Sequence, residues 1–360
     1  MKNNTIVFVI NSVQTMSGAS KVMLSVAKAS VSMFSKVIVI GILNADEENM
    51  GDEAIEFIPL KATNGIKGLW RLKCLLKLRA FFKKRKPDVI CSFVADACTM
   101  ARLASFGLNV KVISCERGDP YTTGKLWRFF MRFTYRFSDY AVFQLPSARD
   151  FFNEKVRSHS IVIPNPFIPK AVAINREHLE DKTIVSAGRL LDKQKDFTSL
   201  IRAFAAVHKR FPDYRLIIYG DGPSRSLYEE QISSLELNGF VSLPGFVDNV
   251  SEVIKDKAMF VLSSVFEGIP NTLLEAMSMG LPCIATNCSP GGAAFLINNG
   301  EYGVLLNIGD VDGMAESIMH FIVNPVEANE LGVKAKESIG RFETEMILAR
   351  WLQLFKNVLS

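Results

Sequence analysis

Short apolar runs alternate with amphipathic stretches along this 360-residue chain, and the alternation constrains the fold more than any other feature. Such runs, bounded by polar segments, are typical of buried parallel strands, and the stretches between them have helical periodicity. This order predicts an α/β protein with a doubly wound parallel sheet and right-handed crossovers. The first half has predicted strands at 6–10, 37–42, 89–93, 110–115 and 140–143, and predicted helices at 20–33, 67–85, 96–106, 124–137 and 147–155.

A proline-rich segment divides the alternation into two parts. Three prolines fall within residues 164–169, which is typical of a linker. The second part has predicted strands at 183–187, 214–219, 240–243, 259–262 and 282–285, and predicted helices at 196–210, 224–237, 250–255, 271–279, 290–298, 311–322, 327–338 and 343–358. We therefore predict two α/β domains, 1–165 and 166–340, with a cleft between them, followed by a last helix in 341–360.

The two halves of the chain carry opposite charge. The total is +5, but residues 1–170 hold 25 Lys+Arg and 13 Asp+Glu, so the remainder holds 17 and 24. The net charges are therefore +12 and −7, which suggests that the first domain faces an acidic partner. The 48% hydrophobic and 22% charged fractions exclude a disordered or fibrous chain.

Cysteine usage and the N-terminus bear on the compartment. The six cysteines form no Cys-x-x-Cys pair and there are four histidines, so no zinc spacing is present. The first apolar run is too short for a signal peptide, and no run approaches the ~18 apolar residues of a membrane span. The sequence predicts a cytoplasmic protein, one that can still rest on a membrane surface.

Glycine-containing turns follow several of the predicted strands. Gly18 lies in a small-residue turn that enters a helix, and Gly220, Gly222 and Gly245 follow two strands of the second half. A helix N-terminus after such a turn suits a phosphate group, because free N–H groups and the helix dipole point at the anion. Each could equally be an ordinary turn. In open α/β sheets ligands bind beyond the carboxyl ends of the strands.

Two cations follow the first strand of the second half. Arg189 could bind phosphate oxygens in bidentate fashion, and Lys195 could add a point charge near a helix start. Together they could neutralise a diphosphate leaving group. The alternative is a pair of solvated surface cations.

The most informative segment spans residues 263–282, where a strand, a Gly-Ile-Pro turn and a helix follow one another. Glu267 precedes the helix and Glu275 lies about one turn inside it. Two carboxylates around a helix start suit a phosphorylated, polyhydroxylated ligand. Since the residues around Glu275 are apolar, an unpaired carboxylate there would be costly, which favours a ligand or a salt bridge over simple exposure.

These residues carry a resemblance to a known family. The segment from Phe266 to Pro282 resembles the Glu-x7-Glu motif of glycosyltransferase family 4, and the likeness extends through Gly188-Arg189, Gly220-Asp221-Gly222 and Pro244-Gly245. The resemblance implies the GT-B fold: two Rossmann-like domains that face each other across a cleft, with the last helix packed back on the first domain. The sequence resembles in particular the enzymes that make bacterial O-antigen and capsule polysaccharides.

The resemblance also implies roles for individual residues. Arg189 and Lys195 would hold the donor diphosphate, Glu267 would contact the donor sugar, and Glu275 would bind the ribose. The other donor-binding residues implied are Gly18, Phe246, Val247, Ile269, Pro270, Asn271 and Thr272.

The implied reaction is a retaining transfer of a hexose or N-acetylhexosamine from a nucleotide sugar, with UDP as the expected nucleotide. Because Arg189 and Lys195 could neutralise the leaving diphosphate, we predict that neither a metal nor another cofactor is required. A catalytically impaired nucleotide-sugar-binding or scaffold protein is the alternative. A GT-B phosphorylase or epimerase would need a pyridoxal lysine or another acid pair, and neither is identifiable.

The sequence departs from the family pattern at two places. Where many members have an active-site histidine, this chain reads Cys115-Glu116-Arg117-Gly118, so Glu116 and Arg117 are predicted to contact the acceptor, with an internal salt bridge of Glu116 as the alternative. Ala294 stands where a related subgroup has glutamate, which could change donor preference or weaken activity.

Two stretches of the first domain are basic, aromatic and free of acids. Residues 67–86 contain nine Lys+Arg, and residues 121–137 contain four together with seven aromatic residues. This composition favours a helix on an anionic bilayer, although a core helix with a solvated basic face would have the same spacing. It would match a polyprenyl-diphosphate-linked acceptor at the inner face of the cytoplasmic membrane. No nucleic-acid module is recognisable, so no nucleic-acid partner is predicted.

Overall fold

The computed structural model describes residues 4–13, 18–44, 53–60, 70–121, 124–168 and 181–360. The chain divides into two compact units. The first comprises Met1–Pro166 together with Thr344–Ser360, and the second comprises Phe167–Glu343. The last helix thus belongs to the first unit, and the divisions fall one to three residues beyond the positions chosen from the sequence.

The first unit is built on a parallel sheet of seven strands in the order β3-β2-β1-β4-β5-β6-β7. Strands β1 and β2 are near-continuous runs of Val and Ile, as expected for strands covered on both faces. The strands are β1 (Thr5–Ser12), β2 (Lys36–Asn44), β3 (Ile55–Pro59), β4 (Val89–Phe93), β5 (Lys111–Glu116), β6 (Tyr140–Phe143) and β7 (Ser160–Val162).

Helices cover both faces of this sheet. Alternate residues of β1 point to opposite faces, so Phe8 packs among one group of helices and Val9 among another. The helices are α1 (Gly18–Ser30), α2 (Trp70–Arg85), α3 (Ala95–Ala104), α4 (Lys125–Arg136), α5 (Pro146–Asp150), α6 (Glu154–Arg157) and, from the end of the chain, α15 (Thr344–Leu359).

The last helix completes the core of the first unit. The Trp351 ring stacks on Phe93 with ring centroids 5.7 Å apart, and Phe355 meets Phe8 edge-on at 6.3 Å. Both α15 side chains are fully buried. Burial of two large aromatic side chains contributes several kcal/mol, so α15 is part of this unit's core and not an appendage.

The second unit has a parallel sheet of six strands in the order β10-β9-β8-β11-β12-β13. Its strands are β8 (Thr183–Ala187), β9 (Arg215–Tyr219), β10 (Val241–Gly245), β11 (Met259–Leu262), β12 (Cys283–Thr286) and β13 (Val304–Leu306). Its helices are α7 (Asp192–Lys195), α8 (Phe197–Arg210), α9 (Arg225–Ser234), α10 (Val250–Ile254), α11 (Asn271–Ser278), α12 (Gly292–Leu296), α13 (Val311–Val323) and α14 (Pro325–Ser338). Both sheets are doubly wound, as the sequence predicted.

The structure corrects the predicted elements mainly at the sheet edges. Three short strands, β3, β7 and β13, had no predicted counterpart. Two of them are only three residues long and all lie at or next to an edge, so they carry little hydrophobic signal. The helix predicted at 147–155 is two helices, because Asn153 begins a new one by accepting a hydrogen bond from the Val156 N–H (3.1 Å).

Candidate active site

A pocket of about 440 Å³ lies at the carboxyl edge of the second sheet, within the second unit. The turns after β8, β9 and β10 and the first turn of α11 converge on it. Because β8, β9 and β10 are parallel neighbours, their carboxyl ends meet at this edge. The pocket is lined by Gly188, Arg189, Tyr219, Gly220, Asp221, Phe246, Val247, Val250 and Thr272.

Two glycine turns pack directly on each other to form one wall of this pocket. A Cβ at Gly220, where φ is +139°, would overlap the carbonyl oxygen of Gly188. A Cβ at Gly222 would meet the carbonyl oxygen of Leu190 at 2.5 Å. Any side chain at either position would force the turns after β8 and β9 apart, so these glycines hold the peptide that carries Arg189 in place.

Arg189 is the cation that faces this pocket without a protein partner. Its side chain is exposed, and no residue in the described part of the chain pairs with its guanidinium. A guanidinium without a partner on the wall of a concave site is available for a bidentate contact with phosphate or carboxylate. The prediction that Arg189 binds a phosphate group stays a prediction. The position of Arg189 on the pocket wall favours this role over that of a solvated surface cation.

Lys195 and Glu267 form an ion pair beside this cation. The Lys195 Nζ contacts Glu267 Oε1, and the two side chains are 11% and 13% exposed. Ser264 Oγ donates to the same carboxylate oxygen at 3.4 Å. The Glu267 Oε2 atom has no hydrogen-bond partner among the described residues. It is therefore available to accept a hydrogen bond from a hydroxyl group of a ligand.

A left-handed residue fixes the position of this lysine. Lys195 ends the short helix α7, and Asp196 has φ +46° and caps the next helix, α8. Ser263 Oγ donates to the Lys195 carbonyl oxygen at 2.7 Å, which ties α7 to the end of β11. The lysine stem lies against Gly188, where a Cβ would stand 2.7 Å from Lys195 Cε. The helix predicted at 196–210 corresponds to α8, whereas α7 was not predicted.

The loop that carries Glu267 is supported by residues that the sequence analysis did not select. The Glu267 N–H donates to the Ser289 carbonyl oxygen at 2.7 Å. A Cβ at Gly292 would overlap the Gly268 carbonyl oxygen, so α12 approaches this loop backbone to backbone. Burial raises the pKa of the nearby Cys288 thiol to about 11, so the thiol is neutral and does not compete for Lys195. In the sequence, the Gly291-Gly292 pair was the feature that could have indicated this close approach.

Helix α11 points its N-terminus toward the pocket. Pro270 occupies the N-cap position and no side chain caps the helix. The first N–H groups, those of Asn271 and Thr272, have no partner inside the helix. The Thr272 Oγ1 atom is buried and also lacks a hydrogen-bond partner, although Thr272 lines the pocket. Ile269 and Pro270 are buried beneath this start. An anion could satisfy these donors.

Glu275 lies one turn further along the same helix and is half-buried. Its Oε2 accepts a hydrogen bond from Ser251 Oγ at 3.0 Å. No salt bridge of Glu275 occurs among the residues described, and its predicted contact with a ligand stays a prediction.

Phe246 and Val247 form the outer wall of the pocket just after β10. The Phe246 ring is 74% exposed, which leaves one face open for stacking. Arg225 shapes this end, since it pairs with Asp221 (3.1 Å) and donates to the Leu243 carbonyl oxygen (3.1 Å). Arg225 holds the pKa of the Asp221 carboxyl below its ordinary value. Arg225 was not selected from the sequence.

The residues predicted on the first domain lie in the first unit. Gly18 begins α1, where Ser20 Oγ donates to the Ser12 carbonyl oxygen at 3.1 Å. The preceding residues of the same turn, 14–17, lie outside the described residues. The prediction that Gly18 approaches donor phosphates stays a prediction.

Glu116 makes its contacts inside the first unit. It is 3% exposed and its Oε1 accepts from the N–H groups of Arg117 (3.1 Å) and Gly118 (2.9 Å). Tyr135 Oη donates to Oε2 at 3.2 Å. Desolvation by burial raises the pKa of Glu116 despite these donors. These contacts organise the turn after β5, and no salt bridge of Glu116 appears in the described part of the chain.

Arg117 fastens the segment that leads out of the first unit. Its Nη1 donates to the Ile163 carbonyl oxygen (2.9 Å) and to Asn165 Oδ1 (3.2 Å). Its guanidinium lies beside the stacked rings of Phe93 and Trp351, 5.5 and 5.3 Å from their centroids. Burial lowers the pKa of this guanidinium. Arg117 is 8% exposed, so the contacts present are structural ones, and contact with an acceptor stays a prediction for both residues.

The raised pKa of Glu116 predicts a pH dependence of stability. A carboxyl whose pKa is higher in the folded state binds its proton more tightly there, so its stabilising contribution is complete below the unfolded pKa of ~4.3 and is lost as pH rises through the folded value. The free energy of unfolding of the wild-type chain, relative to Glu116→Gln, should therefore fall as the pH rises above the unfolded pKa of ~4.3.

Tryptophan fluorescence can follow this transition separately, because all three tryptophans, Trp70, Trp127 and Trp351, belong to the first unit. Glu345→Gln, an exposed change on α15, is the control. A wild-type advantage over Glu116→Gln that stays constant or grows with pH would contradict the assignment.

The described residues contain neither a metal-binding cluster nor a membrane-spanning helix. Among the described residues no group of three or more His, Cys, Asp or Glu side chains is placed to hold a metal ion. No helix in the described part of the chain is both long and apolar enough to cross a membrane. The predicted independence from metal stays a prediction.

Comparison with known sequences gives a family match and several relatives. Residues 181–324 match the family described as Glycosyl transferases group 1. The chain is 27% identical over 291 residues to a Campylobacter jejuni α-1,4-N-acetyl-D-galactosaminyltransferase named for a diNAcBac-PP-undecaprenol glycan, covering 80% of each chain. It is 25% identical over 295 residues to the lipopolysaccharide core biosynthesis glycosyltransferase LpsE of Rhizobium meliloti, covering 80% of this chain and 81% of that one.

Solved structures share the fold over nearly the whole chain. Anabaena HepE in complex with UDP superposes with a TM-score of 0.82 at 19% identity, covering 98% of this chain and 100% of that one. The lipopolysaccharide outer core galactosyltransferase WaaB superposes with a TM-score of 0.80 at 20% identity, covering 99% of both. The chain therefore has the fold of two Rossmann-like domains that GT-B glycosyltransferases have, and residues 181–324 of its second unit match the model of the group 1 glycosyl transferases.

Proposed function

We propose that this chain is a retaining glycosyltransferase that moves a hexose or N-acetylhexosamine from a UDP-sugar to a lipid-linked glycan in bacterial surface polysaccharide synthesis. The observation that carries the proposal is the convergence on one pocket of Arg189, an uncapped helix start with the orphaned Thr272 hydroxyl, and the nearby Glu267 and Glu275 carboxylates. The UDP complex of Anabaena HepE supports the choice of nucleotide. The Campylobacter relative's name supports a lipid-diphosphate acceptor.

The proposed reaction breaks the bond between the donor sugar C1 and the diphosphate oxygen. An acceptor hydroxyl oxygen forms the new bond to C1 on the same face, which retains configuration, and its proton passes to the departing phosphate. Negative charge grows on the diphosphate as the sugar approaches an oxocarbenium-like state. Preorganised donors at that position lower the barrier, and Arg189, Lys195 and the start of α11 are the groups available.

We assign to these cations the charge neutralisation that a metal could otherwise supply. Glu267, through its Oε2 atom, would accept hydrogen bonds from the donor sugar. Glu275, already oriented by Ser251, would accept them from the ribose. The exposed Phe246 ring and Val247 would flank the base.

We place the chain at the inner face of the cytoplasmic membrane, where a polyprenyl-diphosphate-linked acceptor would be presented. The positive first unit, with a net charge of +12 over residues 1–170, supports this placement, because anionic lipid attracts such a charge.

Binding of UDP tests the donor site. The wild-type chain should be stabilised by UDP, and Glu275→Gln should raise the Kd about tenfold, because a charge-assisted hydrogen bond contributes about 1.5–3 kcal/mol. Isothermal titration calorimetry measures both. Glu252→Gln on the neighbouring helix α10 removes the same charge from an exposed, paired carboxylate and should leave the Kd unchanged. Equal Kd values for wild type and Glu275→Gln would remove Glu275 from the site.

Transfer itself separates the proposal from its alternative. Incubation with UDP-galactose, UDP-N-acetylgalactosamine or UDP-glucose and a glycan acceptor should release UDP and give an α-linked product by NMR, also in the presence of EDTA. The alternative, a binding or scaffold protein, is favoured by Ala294, an apolar residue on α12 that is 8% exposed where a related subgroup has glutamate. Donor binding without release of UDP would support that alternative.

A further inference from the structure

Helix α4 of the first unit leaves four phenylalanine rings in solvent. Phe129, Phe130, Phe133 and Phe137, at the helix and its C-cap, are 64%, 38%, 47% and 40% exposed. With 100° per residue, these four positions fall within an arc of about 100°. Met131 and Tyr135 are buried on the opposite side, and Thr134 is buried next to the Phe130 border of the arc. We call the four phenylalanines the aromatic face of α4.

The aromatic face continues onto the end of α3. Arg102 Nε donates to the Phe137 carbonyl oxygen at 2.7 Å, and the same guanidinium lies 5.6 Å from the ring centroid of Phe106. Phe106 is itself 61% exposed. Within the face, Phe133 and Phe137 contact edge-on with centroids 4.9 Å apart. Arg102 thus connects Phe106 to the end of the aromatic face, and the exposed rings are grouped, unlike single scattered apolar side chains.

Cations line one border of this face. On the same helical wheel Lys125, Arg132 and Arg136 lie next to the Phe129 side of the arc. Residues 121–137 contain no acid. Lys125 and Arg136 are exposed and have no ion-pair partner among the described residues. Their positive charge is therefore not neutralised locally.

The other basic helix of the first unit is built differently. In α2 the residues Cys74, Leu78 and Phe82 are buried, so most of its apolar side belongs to the core. Only Leu72 and Leu76 remain as exposed large apolar side chains, at 52% and 59%. Composition made the two helices look alike, whereas burial distinguishes them.

We propose that the aromatic face of α4, with Phe106, docks on an anionic phospholipid bilayer. Phenylalanine rings prefer the boundary between headgroups and acyl chains, and Lys125, Arg132 and Arg136 would meet lipid phosphates. A protein partner with a neutral surface would leave those cations unpaired. This inference deepens the proposed function, on which it rests for its acceptor, by naming the surface that meets the membrane.

Co-flotation with vesicles tests the docking surface. The wild-type chain should float with vesicles that contain about 30% phosphatidylglycerol at low salt and much less with pure phosphatidylcholine. Phe129→Ser with Phe133→Ser should weaken partitioning roughly tenfold to a hundredfold, and Lys125→Ser with Arg136→Ser roughly thirtyfold. Matched controls on α2 are Leu72→Ser with Leu76→Ser and Lys83→Ser with Lys84→Ser, which should stay within about twofold of wild type.

Several outcomes would overturn the proposal. Equal losses of vesicle binding in the α2 and α4 variants would indicate that overall charge or hydrophobicity drives binding, and not the aromatic face of α4. Loss on removing the cations but not the phenylalanines would indicate a purely electrostatic partner such as nucleic acid. A wild-type dimer by light scattering that Phe129→Ser with Phe133→Ser converts to a monomer would assign the face to a second copy. Transfer to a water-soluble acceptor should be unchanged in every variant, so failure of docking and failure of the proposed function are distinguishable.

Discussion

Replacing Arg189 with alanine is expected to lower kcat for sugar transfer by about 10²–10³-fold, the usual effect of removing one preorganised donor from a developing anion. Arg189 has no protein partner in the described part of the chain, so its loss removes no internal contact. The folded state should therefore keep its melting temperature. The effect belongs in kcat more than in KM, because the diphosphate carries its largest negative charge in the transition state.

Lys193→Ala is the control for this change. Lys193 lies four residues away on α7, is exposed, and does not line the pocket, yet its replacement removes the same charge. It should leave kcat within about twofold, as surface changes usually do. Similar losses of kcat in Lys193→Ala and Arg189→Ala would indicate that the overall positive charge matters, and not a direct contact of the Arg189 guanidinium with the diphosphate.

Replacing Lys195 with methionine is expected to be the most destabilising single change at the site. It would leave the Glu267 carboxylate, 13% exposed, without its cation. Breaking a buried pair by removing one partner costs about 3–5 kcal/mol. The remaining exposure of the pair and the hydrogen bond from Ser264 place the expected loss at about 3 kcal/mol. Denaturant unfolding followed by far-UV circular dichroism would measure it, with tryptophan fluorescence to subtract the first unit.

The double variant Lys195→Met with Glu267→Gln tests whether charge is the cause. Once the carboxylate is neutral, the uncompensated charge is gone, so most of the lost stability should return. Transfer should not return with stability, because both groups proposed to act on the donor are then altered. A double variant as unstable as Lys195→Met would instead assign the loss to packing of the lysine stem against Gly188.

Sequence periodicity predicted the central strands closely and the peripheral elements poorly. Strands β4, β6, β8 and β11 begin and end where the apolar runs do, because a strand covered on both faces needs an apolar residue at every position. Edge strands such as β13 lack this requirement. The break at Asp196 depends on one left-handed residue, which no periodicity reveals.

The candidate site divides in the same way. Arg189, Thr272, Phe246 and Val247 line one pocket, as turns after neighbouring parallel strands must converge. The pairing of Lys195 with Glu267 joins residues 72 positions apart and could not be seen in the sequence. Nor could the role of Arg225, whose contacts with Asp221 and Leu243 depend on how β9 and β10 pair. The sequence predicted which residues near each turn could bind a ligand. Contacts between distant segments could be identified only from the folded structure.

The place of α15 in the first unit has a consequence for biosynthesis. Ribosomes make the chain from its N-terminus, so the whole of the second unit, through Glu343, is synthesised before Trp351 and Phe355. Until then Phe93 and Phe8 lack their aromatic partners, and Arg117 lacks one of the two rings beside it. The core of the unit that begins the chain can therefore close only after the second unit has been synthesised.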